Sequence, residues 1–289
     1  MTDLAPATPP TRTRKAFRQW TPDLVIGLVL TGGVLAAVLF AHLLFPAGTD
    51  TMDLTARLSP PTFSGTHPLG TDPIGRDVLA RVVYGGRISL LVGIVSVSLS
   101  AVIGILLGLF AGFYRGRLDA FLMRLADIQL AFPFILLAMT VIAILGPGLW
   151  KLIAVMVASQ WAQYTRLVRG QVLALREREY VQAANALGAS NSRLIFRHIV
   201  PNALGPVIVL ATLNIANNIL LESGLTFLGL GVDPQVPSWG GMLADGRTYL
   251  QSAWWVSVFP GVAITLTVLG FNLLGDWLRD HLDPQGRHT

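Results

Sequence analysis

Six long apolar runs divide the chain, over about 24–45, 88–113, 121–145, 149–167, 202–221 and 253–278. Each comes near the ~20 residues that a helix needs to cross the hydrocarbon core of a bilayer. Hydrocarbon offers no water to unpaired backbone N–H and C=O groups, so such runs are obliged to be helices that satisfy their own hydrogen bonds. The sequence therefore predicts an all-α, polytopic membrane protein with six transmembrane helices. Composition agrees, since only 13% of residues are charged against the roughly 25% usual in soluble domains. The first run is also too long for the 7–15-residue core of a cleaved signal peptide, and is expected to remain as a span.

The sequence pI of about 10.1 could suggest a nucleic-acid partner, but the placement of the charges gives another reason. With the N-terminus inside, 15 of the 21 Lys and Arg residues fall on inner segments and 6 on outer ones. That asymmetry is the positive-inside rule, and it sets both termini in the cytoplasm. No nucleic acid is expected. Cysteine is absent and the five histidines are scattered, so thiolate chemistry and an HExxH-type metal site are excluded. The two lysines, Lys15 and Lys151, follow no glycine-rich loop, which removes a P-loop for ATP.

Between the fourth and fifth runs lies a polar, helix-prone island, Glu179 to Pro201, which this orientation leaves in the cytoplasm. Glu179–Leu187 is rich in Ala, Glu, Gln and Leu and reads as a short helix. Gly188 follows where a helix end favours a left-handed residue. Ser190 or Ser192 can cap a second short helix through Arg197, and Pro201 suits the first turn of the next long one. Two short helices at a glycine elbow make a knob that a partner can grip.

Three further patterns lie in or beside the runs. Ser96, Ser100, Gly104, Gly108 and Gly112 recur every fourth position, a stripe that lets another helix approach closely. Asn214, Asn217 and Asn218 share one side of the fifth span, facing either another helix or a solute path. Arg124 and Asp127, three apart, can pair. Outside the runs, Asp72, Arg76, Asp77 and Arg81 read as a salt-bridged turn seating the second span or as part of an outer gate. Trp239, Trp254 and Trp255 read as interfacial anchors.

The island resembles the cytoplasmic signature loop of type I ABC importer permeases. Ala183, Ala184, Gly188 and Pro201 match that pattern in register, while Gln182, His198 and Val200 replace its Glu, Ile and Leu. Two more stretches, His67 to Leu90 and Glu222 to Gly231 with Pro237-Ser238-Trp239-Gly240, resemble the second permease subunit of dipeptide, oligopeptide and nickel importers. The resemblance implies the type I importer permease fold and transport of di- or oligopeptides across the bacterial inner membrane, with nickel or another small solute as the alternative. It implies a second, homologous permease, two ATPase subunits that use ATP and Mg, and an extracytoplasmic binding protein. No cofactor, metal or catalytic residue is expected in this chain. Glu179, Gln182, Ala183, Ala184, Gly188 and Pro201 would couple to the ATPase. Asn214, Asn217 and Asn218 would line the path, and Asp72, Arg76, Asp77, Arg81 and Trp239 the outer loop or gate.

The expected organisation is a cytoplasmic tail (1–21), a first span with its outer connection (22–85), a core (86–278) holding the coupling loop at 168–201, and a C-terminal cytoplasmic tail (279–289). Two rivals fit less well. An intramembrane protease would need Ser/His or paired-Asp motifs that are not in the sequence. A channel or secondary transporter would favour broken-helix repeats or several ionisable residues at depth, although Pro133 can kink the third span.

Overall fold

The structure is a computed structural model that describes residues 20–49 and 51–282. The expected N-terminal tail lies almost wholly outside those residues, as do positions 283–289 of the C-terminal one. The described chain is helical, and its one β feature is an isolated bridge between Thr71 and Asp77.

The first helix, α1 (Pro22–Leu39), opens on Thr21, whose hydroxyl accepts from the Leu24 amide, with Pro22 in the first turn. The Thr21 hydroxyl satisfies one orphan donor of the helix start, and Pro22, having no N–H, removes another. A short α2 (Ala41–Leu44) follows, then an outer connection that ends at Asp77. Asp77 caps α3 (Val78–Tyr114) by accepting from the Ala80 amide at 2.7 Å. α3 thus begins ten residues before the apolar run at 88, because the cap and not hydropathy fixes its start.

The third run is two helices, α4 (Gly116–Ala131) and α5 (Phe134–Leu145), bent by 85° at the break. Proline has no N–H and drives the residue before it out of the helical region. Phe132, before Pro133, accordingly has φ −85° and ψ 129°. The expected kink is a full corner. α6 (Leu149–Arg176) follows and extends beyond the apolar run that announced it.

The island forms α7 (Glu179–Ala186) and α8 (Asn191–Arg193). Ser190 is the residue that caps α8, its Oγ accepting from the Arg193 amide. The second short helix is not separate from the fifth span, which corrects the expectation. A π-helical stretch, Leu194–Ile199, joins α8 to α9 (Val200–Phe227), giving one helix from Asn191 to Phe227. Pro201 explains the change of register, since its ring displaces the preceding turn and its nitrogen cannot donate. The Val200 amide reaches back five residues to the Ile195 carbonyl, and the Asn202 side chain donates to the His198 carbonyl at 2.7 Å. α10 (Trp239–Gly246) and α11 (Trp255–Leu282) are the last two α-helices of the described residues.

Among the described residues, four helices are long and apolar enough to cross a membrane: α1, α3, Asn191–Phe227 and α11; the bent α4–α5 pair makes five. α6 has the length, at 28 residues, but carries Gln160, Gln163, Arg166 and Arg169 from its middle onward. It nevertheless packs closely into the bundle, with α3 as its most extensive neighbour. The small-residue stripe makes that contact. A β-carbon on Gly108 would lie 2.7 Å from the Thr165 carbonyl oxygen, and one on Gly112 would lie 2.8 Å from Val172 Cβ. Toward the C-terminal ends of α3 and α6, Phe113, Val168, Val172, Val181, Leu194 and Ile199 share one buried cluster.

Candidate functional site

The knob is built from the backbone upward. α7 ends on Leu187, and Gly188 takes φ +83°. The Gly188 amide donates to Asn185 O at 2.9 Å and the Ala189 amide to Ala184 O at 3.1 Å. These two bonds form a Schellman motif, which requires a left-handed residue at the glycine position. Val181 and Leu194 are each 4% exposed and pack with Phe113 and Val172, tying the knob to α3 and α6. The opposite side faces outward, with Leu187 89% and Phe196 71% exposed. Glu179, Gln182, Ala183, Gly188 and Pro201 are exposed as well, and Ala184 is half-buried. Arg115 donates to Glu177 at 2.8 Å and Arg176 donates to the Phe113 carbonyl, so two guanidinium groups brace the base.

At the level of mid-α9 the three asparagines separate into two roles. Asn218, fully buried, donates to Ser96 Oγ at 2.7 Å and to Gln160 Oε1 at 3.2 Å, and accepts from Gln160 Nε2. Asn214 donates to the Tyr164 hydroxyl at 3.0 Å and to Gln163 Oε1 at 3.4 Å. These bonds hold α9 to α6 and α3. Asn217 is exposed and has no hydrogen-bond partner among the described residues. It borders a cavity of about 390 Å³ with Gln163, Gln160, Asn214 and the broken corner at Pro133–Phe134.

The outer residues form a turn. Asp72 is fully buried and accepts from the Ile74 and Arg76 amides at 3.0 and 2.9 Å, and from Arg76 Nε and Arg81 Nη1, each at 2.7 Å. Arg81 also reaches Asp245 in the last turn of α10 at 3.3 Å. Asp77 meets His67 at 2.9 Å while capping α3. Trp239, 1% exposed, donates to the Val82 carbonyl at 2.8 Å, and Trp255, 5% exposed, donates to the Thr71 carbonyl at 3.1 Å. Neither is an interfacial anchor, which corrects the sequence expectation. Each indole packs against α3 or the segment before it and donates its N–H to a backbone carbonyl there. Trp254, 47% exposed, is the outward-facing member of the pair.

Arg124 and Asp127 do not pair either, because Asp127 bonds Arg166 on α6 and Asp119 takes Arg169 in a two-pronged contact. These bridges hold the α4 arm against α6. Sequence reasoning also missed Glu222, fully buried, with the Thr226 and Ser223 hydroxyls donating to it at 2.8 and 3.3 Å. The signal available was a carboxylate in an apolar helix, which is costly enough at depth to demand a reason. Gln160, Gln163 and Tyr164 were missed because their partners lie 50 or more positions away in the chain.

This arrangement of a helical bundle, a corner-bent arm and a helical knob on one long helix is the fold of a type I ABC importer permease. The solved MetNI methionine ABC transporter, in inward-facing conformations, matches with a TM-score of 0.56 over 71% of this chain and 97% of that one, at 20% identity. Residues 104–288 match the family described as binding-protein-dependent transport system inner membrane component, and the chain belongs to that family. It is 44% identical over 274 residues to the dipeptide transport system permease protein DppC of Alkalihalophilus pseudofirmus, covering 94% of this chain and 90% of that one. It is also 44% identical over 263 residues to the di/tripeptide transport system permease protein DppC of Pseudomonas aeruginosa, covering 90% and 87%. The protein is a multi-pass permease of the bacterial cytoplasmic membrane.

Proposed function

We propose that this chain is the permease subunit through which an ABC importer moves di- or oligopeptides into the cell. The identity to the two peptide permeases supports the solute class. Six crossings account for the chain when the bent α4–α5 pair and α6 each count as one, with both termini and the 168–201 loop in the cytoplasm. A second, homologous permease completes the pathway, two ATPase subunits supply ATP hydrolysis with Mg, and an extracytoplasmic binding protein delivers the peptide.

The observation that carries the coupling role is the two-sided knob. Val181 and Leu194 fix its inner side to α3 and α6, while Leu187 and Phe196 stand free on its outer side. A helix pair held this way moves as a body when its exposed side is gripped. Closure of the ATPase pair around nucleotide would therefore tilt α3, α6 and α9 together, and only a difference in nucleotide affinity between two states can drive that tilt. Asp72, Arg76, Asp77 and Arg81 seat the outer end, with Trp239 packed beside them, so the far end of α3 stays fixed to the outer loop while the inner end moves.

The test is reconstitution of this chain with its ATPase and permease partners in proteoliposomes. Uptake of labelled alanyl-alanine should require ATP, binding protein and all partner chains. Uptake by this chain alone, or uptake independent of nucleotide, would overturn the reading.

A further inference from the structure

We propose that Gln163 and Asn217 are the two side chains that read the passing solute, and that they read its amide groups and not its charge. This inference deepens the peptide reading above and rests on it. Gln163 lies near the middle of α6 and Asn217 in the second half of α9, within the fourth and fifth apolar runs of the sequence. Polar groups in such runs are retained where they bond another helix or line a wet path. Asn218 and Asn214 belong to the first kind, since each is buried and committed to partners on α6 or α3. Asn217 bonds nothing among the described residues, and Gln163 is exposed, its one contact being acceptance from Asn214 at 3.4 Å.

The cavity they share has the character of a passage. Its wall includes the corner at Pro133, and irregular backbone at membrane depth is tolerated where it is shielded by protein or lines a water-filled space. No Asp, Glu, Lys or Arg lines it. A carboxamide presents a carbonyl acceptor and an N–H donor together, and a peptide group presents the same pair reversed. Two carboxamides on facing helices can therefore bond any peptide backbone without selecting its side chains. Their neighbours Asn214 and Asn218 are positioning residues that fix the distance between α6 and α9.

The chain has no cysteine, so single replacements give a clean reporter. In the reconstituted complex, Asn217→Cys and Gln163→Cys should react with a small, membrane-impermeant methanethiosulfonate, and turnover with alanyl-alanine and ATP should slow that reaction. Asn218→Cys should resist it. Gln163→Leu with Asn217→Leu should cut uptake at saturating binding protein by about tenfold, the loss expected of one or two hydrogen bonds. Gln163→Asn with Asn217→Gln, which keeps both carboxamides, should retain most of the parental uptake. The loss should be equal for alanyl-alanine, alanyl-lysine and alanyl-glutamate. Unreactive cysteines at 163 and 217, parental uptake by the double leucine variant, or a loss that follows solute charge would each overturn the proposal. Failure of the parental complex to import any dipeptide would instead overturn the peptide reading, while the labelling pattern would still report on the cavity.

Discussion

Gly108 of α3 lies directly against Val168 of α6, where a β-carbon on the glycine would sit 2.7 Å from Val168 Cβ. The same closeness recurs one turn on, between Gly112 and Val172. Lipid tails are as apolar as leucine, so helix association in a membrane depends on close packing more than on hydrophobic exclusion. The glycine stripe is what brings α6, with its glutamines, hard against α3.

Gly108→Leu should therefore lower stability sharply. Overpacking of a well-filled interface costs about 1–3 kcal/mol, read as a lower midpoint in thermal unfolding followed by size-exclusion in detergent. Gly33→Leu is the control, because nothing lies within 4 Å of a β-carbon there. Equal midpoints for the two variants would refute close packing as the reason for the stripe.

At Gly188 the obstacle is the backbone and not space. Its φ is +83° and a β-carbon would meet nothing within 4 Å. Left-handed backbone costs an L-residue about 1–2 kcal/mol, with asparagine the most tolerant. Gly188→Asn should leave peptide uptake per ATP near the parental value, and Gly188→Val should lower it. Similar behaviour of the two variants would show that the elbow is not set by conformation.

The ion pairs divide by burial. Asp72 and Arg81 side chains are 0% and 3% exposed, and removing one partner of such a pair leaves a buried charge at a cost of about 3–5 kcal/mol. Asp72→Asn is expected to reduce the folded yield strongly. Arg115 and Glu177 are 47% and 64% exposed, and exposed pairs are worth about 1 kcal/mol or less. Glu177→Gln should leave the yield unchanged, as measured by monodisperse protein recovered per milligram of membrane.

Leu187 and Phe196 on the outer side of the knob touch little of their own chain. Leu187→Asp and Phe196→Asp should thus leave folding intact and weaken ATPase binding. Burial of a large apolar side chain at an interface contributes about 1.5–3 kcal/mol, enough to remove most of the ATPase from a pull-down at moderate salt. Undiminished recovery of ATPase with both changes present would place the contact elsewhere.

Much of this was legible along the chain. The Schellman end of α7 follows from Gly188 and the helix formers before it, and the corner at Phe132 follows from Pro133. The stripe from Ser96 to Gly112 announced a close neighbour, though not which one. Other features were hidden for a physical reason. The start of α3 depends on Asp77 as a cap, which a hydropathy window cannot register. The indoles of Trp239 and Trp255 look like interfacial anchors until the carbonyls of Val82 and Thr71 come within reach.

Periodicity, capping residues and the bilayer's demand for internal hydrogen bonds act within a few turns of helix, so the sequence alone determined that the chain is a helical membrane protein with a capped helical knob between two long helices. Which polar side chains are spent on structure and which are free was decided only by the tertiary fold. Asn217 and Asn218 are adjacent and chemically identical, yet one faces Gln160 and Ser96 and the other an open cavity. A 100° step around α9 separates them, and it acquires meaning only once α3 and α6 have taken their places on one side of that helix.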